Sequence, residues 1–311
     1  MSADSVIASH LVKRYGETTA LDRISFRVGK GELFGFIGPD GAGKTTLFRI
    51  LTTLLLPDEG TCSVEGFDVV RDYRRIRSLS GYMPGRFSLY QDLTVEENLS
   101  FFATIFGTTI RENYDLVKDI YRQIEPFKTR KAGKLSGGMK QKLALSCAMI
   151  HKPDVLFLDE PTTGVDAVSR VEFWEMLQRL RSAGITILVS TPYMDEASLC
   201  DRVALIQGGR IMQINTPAEV IAGFPMPMLS VKSSDIYRLL ADLRAYPGVR
   251  SVHAFGQAAH VAYREGSVHP AELERWLREK QHHPVEIQPV TPGIEDCFME
   301  LMTESQKPTD S

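Results

Sequence analysis

Three short apolar runs stand out in the first part of the chain: Glu32 to Ile37 (ELFGFI), Val155 to Leu158 (VLFL) and Ile185 to Val189 (ITILV). Each is continuous rather than alternating and too short for a helix, the pattern of parallel strands buried on both faces. After the first run, Leu47, Ile50, Leu51 and Leu54 recur at helical spacing. Between the first and second runs, roughly Asp92 to Lys152 reads as mainly helical, with Thr94-x-x-Glu97 as a capping box. Strand and helix alternate up to about Gly223, so residues 1–223 are expected to form one α/β domain. Phe224 to Pro227 (FPMP) reads as a linker. Beyond it the pattern is strand, helix, strand, strand, helix, strand, helix, a small α+β domain over 228–303. Ile236, Leu239, Leu240 and Leu243 mark one of its helices, and Ile294, Cys297, Phe298 and Leu301 another. Thr291-Pro292 is set as N-cap and first turn of the latter. Residues 304–311 are polar and expected to form a flexible tail.

A length of 311 residues fits about two such domains. The 43% apolar and 24% charged content is ordinary for a soluble globular protein. A net charge of −3 gives no case for a nucleic-acid partner, which would favour a basic face. Cys62, Cys147, Cys200 and Cys297 form no CxxC and fit reduced thiols. No signal peptide and no apolar run of membrane-spanning length is seen, so work at a membrane requires other subunits to supply the span. The histidines are isolated or paired only at His282-His283, without metal-site companions. Trp174 and Trp276 lie on helical apolar faces and read as core.

The chemistry enters with Gly38 to Thr46, GPDGAGKTT, which matches G-x-x-x-x-G-K-[ST] between a predicted strand and a predicted helix. Gly38, Gly41 and Gly43 let backbone N–H groups turn inward around phosphate oxygens, in a loop completed by Pro39, Asp40 and Ala42. The helix starting near Lys44 adds its positive end. Lys44 is expected to reach the β- and γ-phosphates of a nucleotide and the Thr45 hydroxyl to ligate Mg²⁺, with Thr46 following in the first turn. The run DVLFLDE carries Asp159 and Glu160 to the carboxyl edge of the sheet. Asp159 is the expected Mg²⁺ partner, through water, and Glu160 the general base that takes a proton from the attacking water. Further along, LSGGMKQK places Ser136 as an N-cap before Gly137 and Gly138, a second helix start suited to an anion. One phosphate loop already holds its own nucleotide, so this second site needs a different phosphate.

On these residues, the first 223 or so resemble the nucleotide-binding domain of an ATP-binding cassette (ABC) transporter. LSGGMKQ is similar to that family's signature, with Ser136, Gly137, Gly138 and Gln141 in it, and Asp166 in TTGVD fits its D-loop. Tyr15 in KRYG fits the aromatic that stacks on adenine. RFSLYQDLTVEENL, YMDEA and the closing TPGIEDCFMEL resemble ATPase subunits of the daunorubicin-resistance class of drug exporters. The resemblance implies a phosphate-loop NTPase fold with a helical subdomain, ATP and Mg²⁺ as ligands, and a head-to-tail pair of cassettes. Each ATP would lie between the phosphate loop of one cassette and the signature of the other. It also implies separate membrane permease subunits, docked near Phe87, Leu89 and Tyr90, and a cytoplasmic location on the inner face of the membrane.

Two positions depart from the family's pattern. The family has a histidine after the Ser-Thr that ends the third apolar run, where this chain has Pro192. It has a glutamine after GYMP, where this chain has Gly85. Neither residue offers a hydrogen-bonding side chain to a γ-phosphate. The expected result is a pocket that binds ATP and hydrolyses it slowly, unless a neighbour such as Arg86 compensates. A heterodimer with a partner that keeps both residues is favoured, with a homodimer possible. A soluble ABC ATPase and a non-hydrolytic ATP-gated clamp are the competing readings.

Overall fold

The structure is a computed structural model that describes residues 4–305. In chain order its first unit, residues 1–216, has strands β1 (Asp4–Tyr15), β2 (Thr18–Gly29) and β3 (Leu33–Ile37), helix α1 (Lys44–Leu51), then β4 (Glu59–Val64) and β5 (Phe67–Asp68). Next come α2 (Tyr73–Leu79), β6 (Ser80–Met83), α3 (Val95–Ile105), α4 (Tyr114–Tyr121) and α5 (Gly137–Met149). They are followed by β7 (Val155–Asp159), α6 (Ala167–Ser182), β8 (Thr186–Thr191), β9 (Arg202–Gln207) and β10 (Arg210–Asn215).

The three apolar runs become β3, β7 and β8, every residue of which is buried. They lie inside a six-stranded sheet of order β10-β9-β3-β8-β7-β6, parallel except for the antiparallel edge strand β10. A second, antiparallel sheet has order β2-β1-β4-β5. Buried Ile24, Phe26 and Val28 alternate along β2, whereas register shifts between Ala8 and Leu11 and between Leu11 and Lys13 break the alternation of β1. A chain of aromatic rings joins the two layers. Phe26 of β2 meets Phe36 of β3 edge-on at 5.0 Å, Phe36 meets Phe48 of α1 at 5.8 Å, and Phe48 meets Phe157 of β7 at 6.2 Å. These T-shaped contacts hold α1 in the core, which fixes the position of the loop that precedes it. Helix α1 stops at Leu51, so Leu54 is not on its apolar face as the spacing predicts; it is 56% exposed.

The capping box at α3 is formed. The Glu97 amide donates to Thr94 Oγ1 (3.2 Å), and the Thr94 amide donates to Glu97 Oε2 (2.7 Å). That amide holds the Glu97 carboxyl below its usual range, so this stabilisation is present above the unfolded-state pKa and is lost as pH falls through the lower folded value. Thr94→Ala is expected to destabilise this unit by about 1 kcal/mol. The check is the shift in urea unfolding read at buried Trp174, with Trp276 replaced by Phe.

The second unit, residues 217–311, contains α7 (Pro217–Ala222), β11 (Met228–Lys232), α8 (Ile236–Ala245), β12 (Val249–Phe255), β13 (Ala258–Tyr263), α9 (Pro270–Glu279), β14 (Glu286–Pro289) and α10 (Ile294–Ser305). The unit therefore begins seven residues before the boundary expected at Gly223, because α7 packs against α10. Its sheet, of order β12-β13-β11-β14, is antiparallel throughout, a split βαβ arrangement of the ferredoxin-like kind. Leu229, Val231 and Val261 from the sheet pack with Leu239 and Leu243 of α8 and Leu273 and Leu277 of α9. Trp276 is half-buried beside Tyr246. Helix α10 starts at Ile294, so Thr291-Pro292 precedes it rather than capping it; the Gly293 amide donates to Asp296 Oδ2 instead (2.8 Å). The tail expected over 304–311 lies outside the described residues, apart from Glu304 and Ser305, which belong to α10. No helix among the described residues is long and apolar enough to cross a membrane.

Candidate functional site

Strand β8 lies between β3 and β7, pairing Ile37 with Thr191 and Asp159 with Ser190. The loops after these three neighbouring strands therefore leave the sheet at one edge, where open α/β sheets bind ligands. After β3 the chain turns through Gly38 to Gly43 into α1. The Gly38 amide donates to the Thr191 carbonyl (3.3 Å), tying the loop to the end of β8. Gly43 has φ 102°, and a Cβ there would lie 2.5 Å from the Ala20 carbonyl oxygen, so only glycine fits. Asp40 and Gly41 are exposed at the loop tip, Pro39 is half-buried, and Ala42 is buried.

Lys44 is only 3% exposed, and a buried ammonium must find partners. Its Nζ donates to the carbonyls of Gly38 (2.7 Å) and Pro39 (3.0 Å) and lies 3.2 Å from Glu160 Oε1. Three protons thus have three acceptors, all of which a phosphate oxygen can replace. Thr45 Oγ1 donates to Asp159 Oδ1 (3.2 Å), and Ser190 Oγ donates to the same oxygen (2.6 Å). The Thr45 hydroxyl and the Asp159 carboxylate thus lie side by side as hard oxygen donors of the kind Mg²⁺ takes, directly or through bound water. Glu160 sits in a left-handed backbone conformation (φ 49°), a strained state for a non-glycine residue. Its amide, shared between the Ser190 carbonyl and Oγ at 3.0 Å each, holds it there. Ser190 was not singled out in the sequence, although it opens the Ser-Thr pair that ends the third apolar run.

A cavity of about 280 Å³ is lined by Tyr15, Ala20, Gly41, Gly43, Lys44, Thr45, Thr46 and Glu160. Tyr15, at the end of β1, is 47% exposed, so its ring is open to a planar partner. No residue of the LSGGMKQ run and no D-loop residue lines this cavity. Ser136 is exposed at the start of α5, where its Oγ accepts the Met139 amide (3.4 Å); Gln141 lies one turn on. Asp166 caps α6, and the Ser169 amide it accepts (3.0 Å) holds its carboxyl below the usual range. A Cβ on Gly138 would lie 2.5 Å from Ser169 Oγ, so the starts of α5 and α6 touch closely. Among the described residues no three His, Cys, Asp or Glu side chains gather as a metal site, and the four cysteines are free and buried.

The family described as ABC transporter matches residues 21–163. Daunorubicin resistance ATP-binding protein DrrA2 of Streptomyces coeruleorubidus is 33% identical over 317 residues, covering 97% of this chain and 96% of that protein. The chain belongs to the ABC transporter family. The probable multidrug ABC transporter ATP-binding protein YbhF of Escherichia coli K12 is 40% identical over 217 residues, 69% of this chain, which spans only 38% of that relative's length. Among solved structures, cbiO1 from Clostridium perfringens, part of the ABC transporter complex cbiONQ, superposes with a TM-score of 0.64 at 25% identity, covering 78% of this chain and 95% of that one.

In this ABC protein the two departing positions sit beside the site. Gly85, past the end of β6, places its would-be Cβ 3.0 Å from the Asp159 carbonyl oxygen and 3.7 Å from Glu160 Cβ. Pro192 directly follows Thr191, the last residue of β8. Arg86 is exposed. Of the three aromatic and apolar residues expected near a membrane helix, Leu89 lines an apolar groove of about 390 Å³ with Met83, Phe102, Ile105 and Phe106. Phe87 and Tyr90 lie outside it; Tyr90 packs edge-on against Phe101 at 4.9 Å.

Proposed function

We propose that this chain is the ATPase subunit of an ABC exporter: it closes on ATP with a second cassette and drives separate membrane subunits. The chain is an ATPase. The carrying observation is the separation within one chain of the Lys44–Thr45–Glu160 cavity from the Ser136 helix start. Each half lacks what the other supplies, so the γ-phosphate held by Lys44 takes its remaining contacts from a partner's signature, and this chain's Ser136 serves the partner's nucleotide.

When ATP enters, Lys44 exchanges the Gly38 and Pro39 carbonyls for phosphate oxygens, and the loop amides and the start of α1 orient the triphosphate. Tyr15 stacks on the base. Thr45 and Asp159 would hold Mg²⁺, whose charge stabilises the negative charge gathered on the transferred phosphoryl group. Glu160, drawn toward the γ-phosphate position by Lys44, accepts the proton of the attacking water. Gly85 and Pro192 contribute no donor, so the pocket on this chain's phosphate loop is slow. Asymmetric pairing follows: a partner that keeps both polar residues makes the fast pocket with this chain's signature. The groove lined by Leu89, Phe102 and Phe106 suits an apolar helix of a membrane subunit.

Gly85 and Pro192 also favour a second reading, a clamp that closes on ATP without hydrolysing it; the placement of Glu160 on Lys44 speaks for turnover. The test is ATPase of the purified chain with excess ATP. A slow pocket gives turnover well below ~1 s⁻¹, the low end of ordinary enzymes, and addition of an intact partner cassette restores it. Fast turnover by the chain alone overturns the slow-pocket reading, and none in either setting leaves the clamp.

A further inference from the structure

Glu196, the glutamate of YMDEA, has no role in the site described above and sits in a short 3₁₀ turn (Met194–Leu199), yet it is 2% exposed. A buried carboxylate of this kind is retained only if its oxygens are filled. Oε2 accepts the Thr191 hydroxyl (2.5 Å) and the Thr162 hydroxyl (3.1 Å). Oε1 meets the guanidinium of Arg170, with Nε at 3.2 Å and Nη2 at 3.1 Å. The same guanidinium lies 4.2 Å over the Tyr193 ring and 3.3 Å from Asp195.

The three donors come from three different functional segments. Thr191 ends β8 next to Ser190, which holds Asp159 and Glu160, and its carbonyl anchors Gly38. Thr162 lies between Glu160 and Asp166. Arg170 is on α6, one residue after Ser169, against which Gly138 of the signature packs. Lys142 of α5 and Glu172 of α6 add an ion pair at 2.6 Å. One carboxylate thus joins the end of the strand that shapes this chain's own pocket to the helix start that the signature rests on.

We propose that Glu196 is a positioning residue that couples the two half-sites of the chain: it fixes Asp159 and Glu160 through Thr191 and Ser190, and ties their placement to that of Asp166 and Ser136 through Thr162 and Arg170. The coupling rests on the ATPase reading but not on the pocket being slow. This clamp adds side-chain anchoring at Thr191 to the backbone pairing that sets the end of β8 beside β3 and β7.

The test compares the full chain with Glu196→Gln, Arg170→Met, their double variant, and Thr162→Val, which removes one donor and leaves the buried ion pair. Single-turnover hydrolysis, ATP affinity and thermal unfolding are measured together. Positioning predicts a single-turnover rate lowered by about 10- to 10²-fold in Glu196→Gln, with ATP affinity within threefold. It also predicts a double variant no slower than the worse single one, since the two residues act as a unit. Arg170→Lys, which keeps the charge, recovers part of the rate. Hydrogen exchange with ATP bound gives a readout independent of turnover. In Thr162→Val and Glu196→Gln, the segments 159–170 and 190–200 lose protection together. Faster exchange confined to 190–200, or rates that fall only in step with ATP affinity, overturns the proposal. Fast turnover by the unmodified chain removes the slow-pocket reading and leaves this comparison intact.

Discussion

Replacing Pro192 with histidine is expected to raise the turnover of the purified chain by about 10²-fold, the scale on which removing one preorganised transition-state donor slows an enzyme. Position 192 follows the strand end that anchors Gly38 and sits two residues from Ser190, which holds the Asp159 carboxylate and the Glu160 backbone amide. An imidazole there supplies the ring N–H that proline lacks. The measurement is steady-state phosphate release, with ATP affinity as the control. Gly85→Gln alone is expected to give less, because its Cβ would press to 3.0 Å on the Asp159 carbonyl oxygen and displace the strand end it is meant to serve. Turnover unchanged within threefold, with ATP still bound, means that another group such as Arg86 already meets the γ-phosphate.

The second large effect has the opposite sign. Glu160→Gln is expected to lower hydrolysis by about 10²–10⁴-fold, the range for a lost general base, while ATP remains bound. Glutamine keeps the shape and the amide contacts to Ser190 but removes the charge 3.2 Å from Lys44 Nζ. Lys44 then gives up a neutral amide oxygen rather than a carboxylate when it turns to phosphate, so ATP affinity is expected to hold or rise. The variant is best assayed in the Pro192→His background, where there is more rate to lose, by phosphate release beside equilibrium ATP binding. A rate within threefold of the parent assigns the proton to another group.

The site was legible to different degrees. The phosphate loop and its lysine could be read because all their groups lie within nine consecutive residues between a strand and a helix. Asp159 and Glu160 could be read because an apolar run ends on them. Ser190 and Glu196 could not: a serine in a buried strand and a glutamate in YMDEA are unremarkable until the partners that fill their oxygens are known. The antiparallel sheet is marked by alternation only in β2, at Ile24, Phe26 and Val28, because register shifts in β1 erase it in the partner strand. Leu54 fails the opposite way, continuing a helical spacing after the helix has ended at Leu51.

By itself the sequence determined the fully buried strands, the phosphate loop, the signature and the two missing side chains, because each depends on residues adjacent in the chain or on one strand's hydrophobicity. Only the tertiary structure decided that β8 lies between β3 and β7, which sets Thr191, Asp159 and Gly38 side by side although they are more than a hundred residues apart at the extremes. It also decided that one carboxylate from a short turn closes on Thr162, Arg170 and Thr191. Strand order follows from how two layers bury their shared aromatic core, a balance over the whole chain that no local window contains.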